Sequence, residues 1–164
     1  ILTNVVGGVL QISGDPTVNL NDFELTVYLT MTDLEGLVLS GVGNFVGENQ
    51  FNSDSVDIML SGVGNIMMDL ESDYIRSSLS GAGGILLEGA ADYHLCYHSA
   101  VGNISAFDLV ADTTVANLSG VGNAEVFVTD SLHAAIGGVG SLYYRGDPTI
   151  TSEISGTGSV IDAN

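Results

Sequence analysis

The chain has no lysine. Its two arginines, Arg76 and Arg145, stand against 20 acidic residues, so 164 residues carry a formal net charge of −18. Binding phosphate needs clustered Lys and Arg, which excludes nucleic acid as a partner and argues equally against an anionic lipid surface. What remains is cations, basic partners, or solubility with repulsion between copies. Cys96 is the single cysteine, so no intramolecular disulfide can form and stability must come from packing and backbone pairing. No apolar run reaches the roughly 20 residues that cross a bilayer, so no membrane insertion is expected. Ile1 opens without a charged segment leading into an apolar one, and an export signal is expected to have been removed or to lie outside these residues. Helices are missing too: no long stretch repeats apolar residues at three-four spacing, and glycine recurs too often for one to run.

What is abundant is repetition. Ser-Gly-Val-Gly-Asn occurs at 40–44, 61–65 and 119–123, with looser copies at 80–84 (SGAGG), 99–103 (SAVGN), 137–141 (GGVGS) and 155–159 (SGTGS). Successive copies start 21, 19, 19, 20, 18 and 18 residues apart, a solenoid period. A second column agrees: seven positions before each motif stand Asp33, Asp54, Asp73, Asp92, Asp112 and Asp130, and eight before the last stands Asp147. The residue before each motif is Leu39, Leu60, Leu79, His98, Leu118, Ile136 or Ile154, and the one after it Phe45, Ile66, Ile85, Ile104, Ala124, Leu142 or Val160. Both columns read as interior.

Within a unit the period is two, as in Val56-x-Ile58-x-Leu60, with Asp57 and Met59 facing the other way. Units this short are rungs of a parallel β-helix; propeller blades need about 40 residues. The expected fold is therefore all-β: a right-handed parallel β-helix of seven to eight rungs of 18–21 residues, filling 1–164 as one domain. Equivalent residues then stack about 4.8 Å apart as ladders. Gly41, Gly43, Asn44, Gly62, Gly64, Asn65, Gly120, Gly122 and Asn123 mark a sharp corner, since glycine takes φ > 0 freely and Asn is the next most tolerant residue. The Asp column marks another, where a carboxylate can close an Asx turn. The opening residues lack the motif, but Gly14-Asp15-Pro16-Thr17-Val18 matches Gly146-Asp147-Pro148-Thr149-Ile150, so the first coil is expected to be built like the next-to-last. FELTVYLTM at 23–31 reads as strand.

LSGVGN at 39–44 and 118–123, LSGAGG at 79–84, and LYYRGDPTI at 142–150 followed by ISGTGS at 154–159 resemble the bacterial family called putative auto-transporter adhesin, head GIN domain. The resemblance implies a single-stranded right-handed β-helix on a secreted or cell-surface bacterial protein, and it brings no catalytic residues with it.

Two groupings could carry chemistry. Neighbouring carboxylates about 5 Å apart repel by about 3 kcal/mol at an effective dielectric near 20 before screening. Hydrogen bonds at the corner, raised pKa values on alternate members, or bound Ca²⁺ at Asp54, Asp73, Asp92, Asp112 and Asp130 would each relieve this. No cofactor is required, and Ca²⁺ is the ion the ladder would accept. His94, Cys96 and His98 alternate and so share a strand face, where a His-x-His pair can ligate Zn²⁺; because His98 occupies a Leu/Ile column, a packed interior is the stronger expectation. His133 reads as a surface residue. Polysaccharide cleavage needs carboxylates grouped in one groove, and the acids here are periodic. The expected function is a non-enzymatic extracellular structural or adhesive module. It would self-associate end to end into dimers or filaments, since neither terminus carries a helical cap over the open strand edges, or bind a cell-surface or carbohydrate ligand. The competing readings are a carbohydrate-active protein and a Ca²⁺-dependent binding module.

Overall fold

The computed structural model describes residues 1–14 and 25–164, which form two compact units, Ile1–Met31 and Thr32–Asn164. In the first, β1 (Leu2–Val6) and β2 (Val9–Ser13) pair antiparallel, with Val6 opposite Val9. Gly7 and Gly8 have φ of 59° and 84°, the two successive positive values of the hairpin turn whose twist matches its strands. The opening is thus a hairpin and not a parallel coil. Asp15 to Val18, with Phe23 and Glu24, lie outside the described residues. Of the strand expected over 23–31, residues 25–31 carry none, and Leu25, Val27 and Leu29 are exposed. β-propensity becomes a strand only where a neighbour supplies hydrogen-bond partners and covers the apolar face.

The second unit is a parallel β-solenoid of about seven turns. Its strands are β3 (Gly36–Leu39), β4 (Val42–Val46), β5 (Phe51–Leu60), β6 (Val63–Leu79), β7 (Ala82–His98), β8 (Val101–Leu118), β9 (Ala124–Ile136), β10 (Leu142–Arg145), β11 (Thr149–Ile154) and β12 (Val160–Asp162). Each pairs in parallel with its equivalent one turn on, for example Ile66 with Ile85 and Ile85 with Ile104. The core follows from this register. Val56, Ile58 and Leu60 are at most 1% exposed. The column before the corner is buried at Leu60, Leu79, His98, Leu118 and Ile136, and the column after it at Ile66, Ile85, Ile104, Ala124 and Leu142. Each fully buried Leu or Ile contributes about 1.5–3 kcal/mol. Ile154, expected inside, is 48% exposed, because β11 is flanked on one side alone, by β9.

The glycine corner explains the repeat. Gly64 has φ 146°, and a Cβ there would run into the Gly43 carbonyl one rung away. Asn does something other than share that conformation: among the described residues none but glycine has positive φ. The asparagines instead tie rung to rung. Asn44 Oδ1 accepts from Asn65 N at 3.0 Å and Nδ2 at 3.1 Å, Asn103 Oδ1 accepts from Asn123 N at 2.9 Å, and Asn123 Oδ1 accepts from Ser141 N at 2.9 Å.

Candidate functional site

The Asp column forms one wall of an open groove of about 970 Å³, where Asp33, Asp54, Asp73, Asp92 and Asp112 are joined by Glu35 and Glu71. Each lies one rung from the next: Ser53 pairs with Ser72 and Ser55 with Tyr74 on either side of Asp54 and Asp73, and the same frame carries Asp92 and Asp112. Asp130 falls outside the lining, because the register slips between Ala111 and Thr113 and two residues of β9 face Asp112.

The hydrogen bonds that close this corner come from serine and not from an Asx turn. Ser53 Oγ donates to the Ser55 carbonyl at 3.2 Å and Ser72 Oγ to the Tyr74 carbonyl at 3.1 Å, which leaves the intervening aspartates turned outward and exposed. Thr32 Oγ1 donates to Asp33 at 2.9 Å and Thr129 Oγ1 to Asp112 at 2.8 Å. Exposure puts these carboxylates near the dielectric of water, where the repulsion is a fraction of the value at a dielectric near 20. Among the described residues no three His, Cys, Asp or Glu side chains are grouped to hold a metal ion.

His94, Cys96 and His98 point into the solenoid and are at most 1% exposed. His94 lies between Ile75 and Thr114 on neighbouring rungs, and Ser77 Oγ meets its Nε2 at 2.8 Å. Burial lowers its pKa to about 4 and pushes the Cys96 thiol up to about 12, the latter offset in part by a bond from Ser77. His98 Nε2 donates to the Gly102 carbonyl at 2.7 Å, while its Nδ1 and the Thr114 hydroxyl are buried without partners among the described residues. This interior polar pocket is packing, closed to solvent. His133 is on the surface, as its lone position suggests.

The outer face of β6 and β7 carries a cluster that pattern reading passed over. Tyr74 and Tyr93 are register partners, half-buried, with rings stacked 5.4 Å apart and 6° from parallel. Two positions on, Arg76 Nη1 pairs with Asp57 Oδ2 at 3.2 Å, and its guanidinium lies 5.5 Å from the centre of the Tyr97 ring, which is 37% exposed. The signal was present: Tyr74 and Tyr93 each follow a ladder aspartate, 19 residues apart. The other cation, Arg145, stands 4.1 Å over Phe107.

The model of the family described as putative auto-transporter adhesin, head GIN domain, matches residues 1–148. A crystal structure of a putative adhesin from Bacteroides fragilis superimposes with a TM-score of 0.90 at 32% identity, over 98% of this chain and 75% of that one. No curated protein matches the chain.

Proposed function

The chain belongs to the putative auto-transporter adhesin, head GIN domain family, and from that premise we propose that it is a non-enzymatic adhesive module on a secreted or cell-surface bacterial protein. Its adhesive face, in this reading, is the patch of Tyr74, Tyr93, Tyr97, Arg76 and Asp57, and its ligand is a neutral carbohydrate. The observation that carries the reading is a stacked, half-exposed tyrosine pair held beside an Arg–Asp pair on a rigid sheet. A pyranose lays its C–H face on tyrosine while its hydroxyls take the fixed donors and acceptors of Arg and Asp, so a few pre-positioned polar groups set orientation. A charge of −18 disfavours acidic polymers.

Support for a non-enzyme is chemical. Hydrolysis uses two carboxyl groups in different roles, and the groove offers exposed carboxylates repeated along the rungs, the aspartate row with Glu35 and Glu71, with no Lys, Arg or His among the described lining residues. The test is binding to a panel of neutral oligosaccharides by calorimetry, with Tyr97→Ala and Arg76→Ala as variants and reducing ends measured alongside. Binding that both variants weaken, with no ends released, is expected; binding unaffected by either, or turnover, overturns the proposal.

A further inference from the structure

The middle residue of each glycine corner points out of the solenoid. Val42, Val63, Ala82, Val101, Val121, Val139 and Thr157 pair in register from rung to rung, forming one column. The five valines are 87%, 53%, 65%, 52% and 54% exposed, which is unusual for a β-branched aliphatic and here repeats along the rod. The neighbours on either side are glycine at every corner except where Ala100 stands before Val101, so the column projects beyond its flanks. None of the seven five-residue corners contains a charged residue, in a chain of net charge −18.

From this we infer that the valine ridge is a side-by-side self-association surface, whose occupant is the same ridge of a second copy of this chain. Two features select that partner. Two copies repel wherever their acidic faces meet, and this corner lets them approach without facing like charges. The rung spacing of about 4.8 Å is common to both rods, so a contact made once repeats at every rung. Area sets the strength. Seven rungs span about 29 Å, and a strip one corner wide gives a few hundred Å², short of the roughly 800 Å² per partner of a stable dimer. Pairing is therefore weak for free rods and gains by avidity where many rods are tethered on one surface.

The experiment is oxidative cross-linking of the full chain carrying Val101→Cys, with Met67→Cys, an exposed position on a different face, as control, and sedimentation across micromolar to millimolar concentration. Buried Cys96 stays in place. Expected are a disulfide dimer from Val101→Cys formed at least about tenfold faster than from the control, and a sedimentation coefficient that rises with concentration. Replacing Val63, Val101, Val121 and Val139 together by Thr keeps the β-branched shape already present at Thr157, preserves the fold, and raises the dissociation constant about tenfold or more. Equal cross-linking at both sites, or unchanged association of the threonine variant, overturns the inference. End-to-end stacking would survive that result, because it leaves Val101 out of contact.

Discussion

Gly41→Ala and Gly62→Ala change the same residue in the same pentapeptide, yet they should behave oppositely. At Gly41 an added Cβ meets nothing within 4 Å among the described residues, and alanine stiffens the unfolded chain, so the change should be neutral or stabilising by about 0.4–1 kcal/mol. At Gly62 the Cβ would run into the Gly41 carbonyl of the rung below. The magnitude can be taken from the chain's own exception. At 61–63 three backbone bonds join the rungs: Ser61 N to Leu39 O at 3.0 Å, Gly62 N to Leu39 O at 2.9 Å and Val63 N to Gly41 O at 2.9 Å. At 99–101, where Ala100 replaces the glycine, only the bond from Ser99 N to Leu79 O, 2.9 Å, is present among the described residues. Alanine thus costs two rung-to-rung bonds, about 1 kcal/mol each, and with residual crowding of about 1 kcal/mol Gly62→Ala should destabilise by about 3 kcal/mol. For a chain of this size that lowers Tm by about 6–12 °C. Ala100→Gly should regain about 1 kcal/mol, less than two bonds because glycine frees the unfolded chain. The assay is urea denaturation followed by circular dichroism. Equal effects at 41 and 62, or a loss on Ala100→Gly larger than the glycine entropy term of about 1 kcal/mol, would refute stacking as the reason for the glycine.

The remaining expectations concern buried and charged groups. His94 is neutral when folded, with its pKa lowered to about 4 from 6.5, so the unfolded chain binds its proton at higher pH than the folded one. Its contribution to stability is therefore intact above about pH 6.5, is lost as pH falls toward 4, and amounts to about 3 kcal/mol; the Tm of His94→Leu should fall less than wild type over that window, and parallel curves would contradict this. Cys96, with its thiol pushed up to about 12 and fully buried, should resist alkylation in the native state and react at once in denaturant; rapid native labelling would mean that the core opens. The exposed aspartate row should make Tm rise with NaCl and stay unchanged in EDTA. A large gain with Ca²⁺ at fixed ionic strength would instead place a specific site in the groove.

The rungs were legible because stacking makes neighbouring turns choose the same residues, so register is written in the chain at 40–44, 61–65 and 119–123. What one strand's pattern omits is its partner. FELTVYLTM has strand chemistry, but at 25–31 no strand forms, and the exposure of Ile154 depends on what flanks β11. Val6-Gly7-Gly8-Val9 did carry a hairpin signal, two glycines between apolar residues, which a search for the long period overlooks. Asn65 and Asn123 were assigned a backbone role because their side-chain ladder exists only between turns. The aspartate spacing is legible from Asp33 to Asp112, and what it does not carry is the register slip of one residue after which Asp130 lies outside the groove lining. The tyrosine–arginine patch has no signature within one strand, because Arg76, Asp57 and Tyr97 converge from three different rungs.

In-register stacking is tested most directly by distances along one outward column. Met59, Ser78, Tyr97, Asn117, Ala135 and Glu153 are successive register partners. With Cys96 replaced by Ala, the residue that its own buried column carries at Ala116 and Ala134 on later rungs, spin labels can be placed in pairs and measured by pulsed electron resonance. Labels at Met59 and Ala135 should lie about 19 Å apart, and moving the second to Glu153 should add about 5 Å. Distances that fail to grow by one rung spacing per turn would contradict the solenoid register on which the groove, the tyrosine patch and the valine ridge all depend.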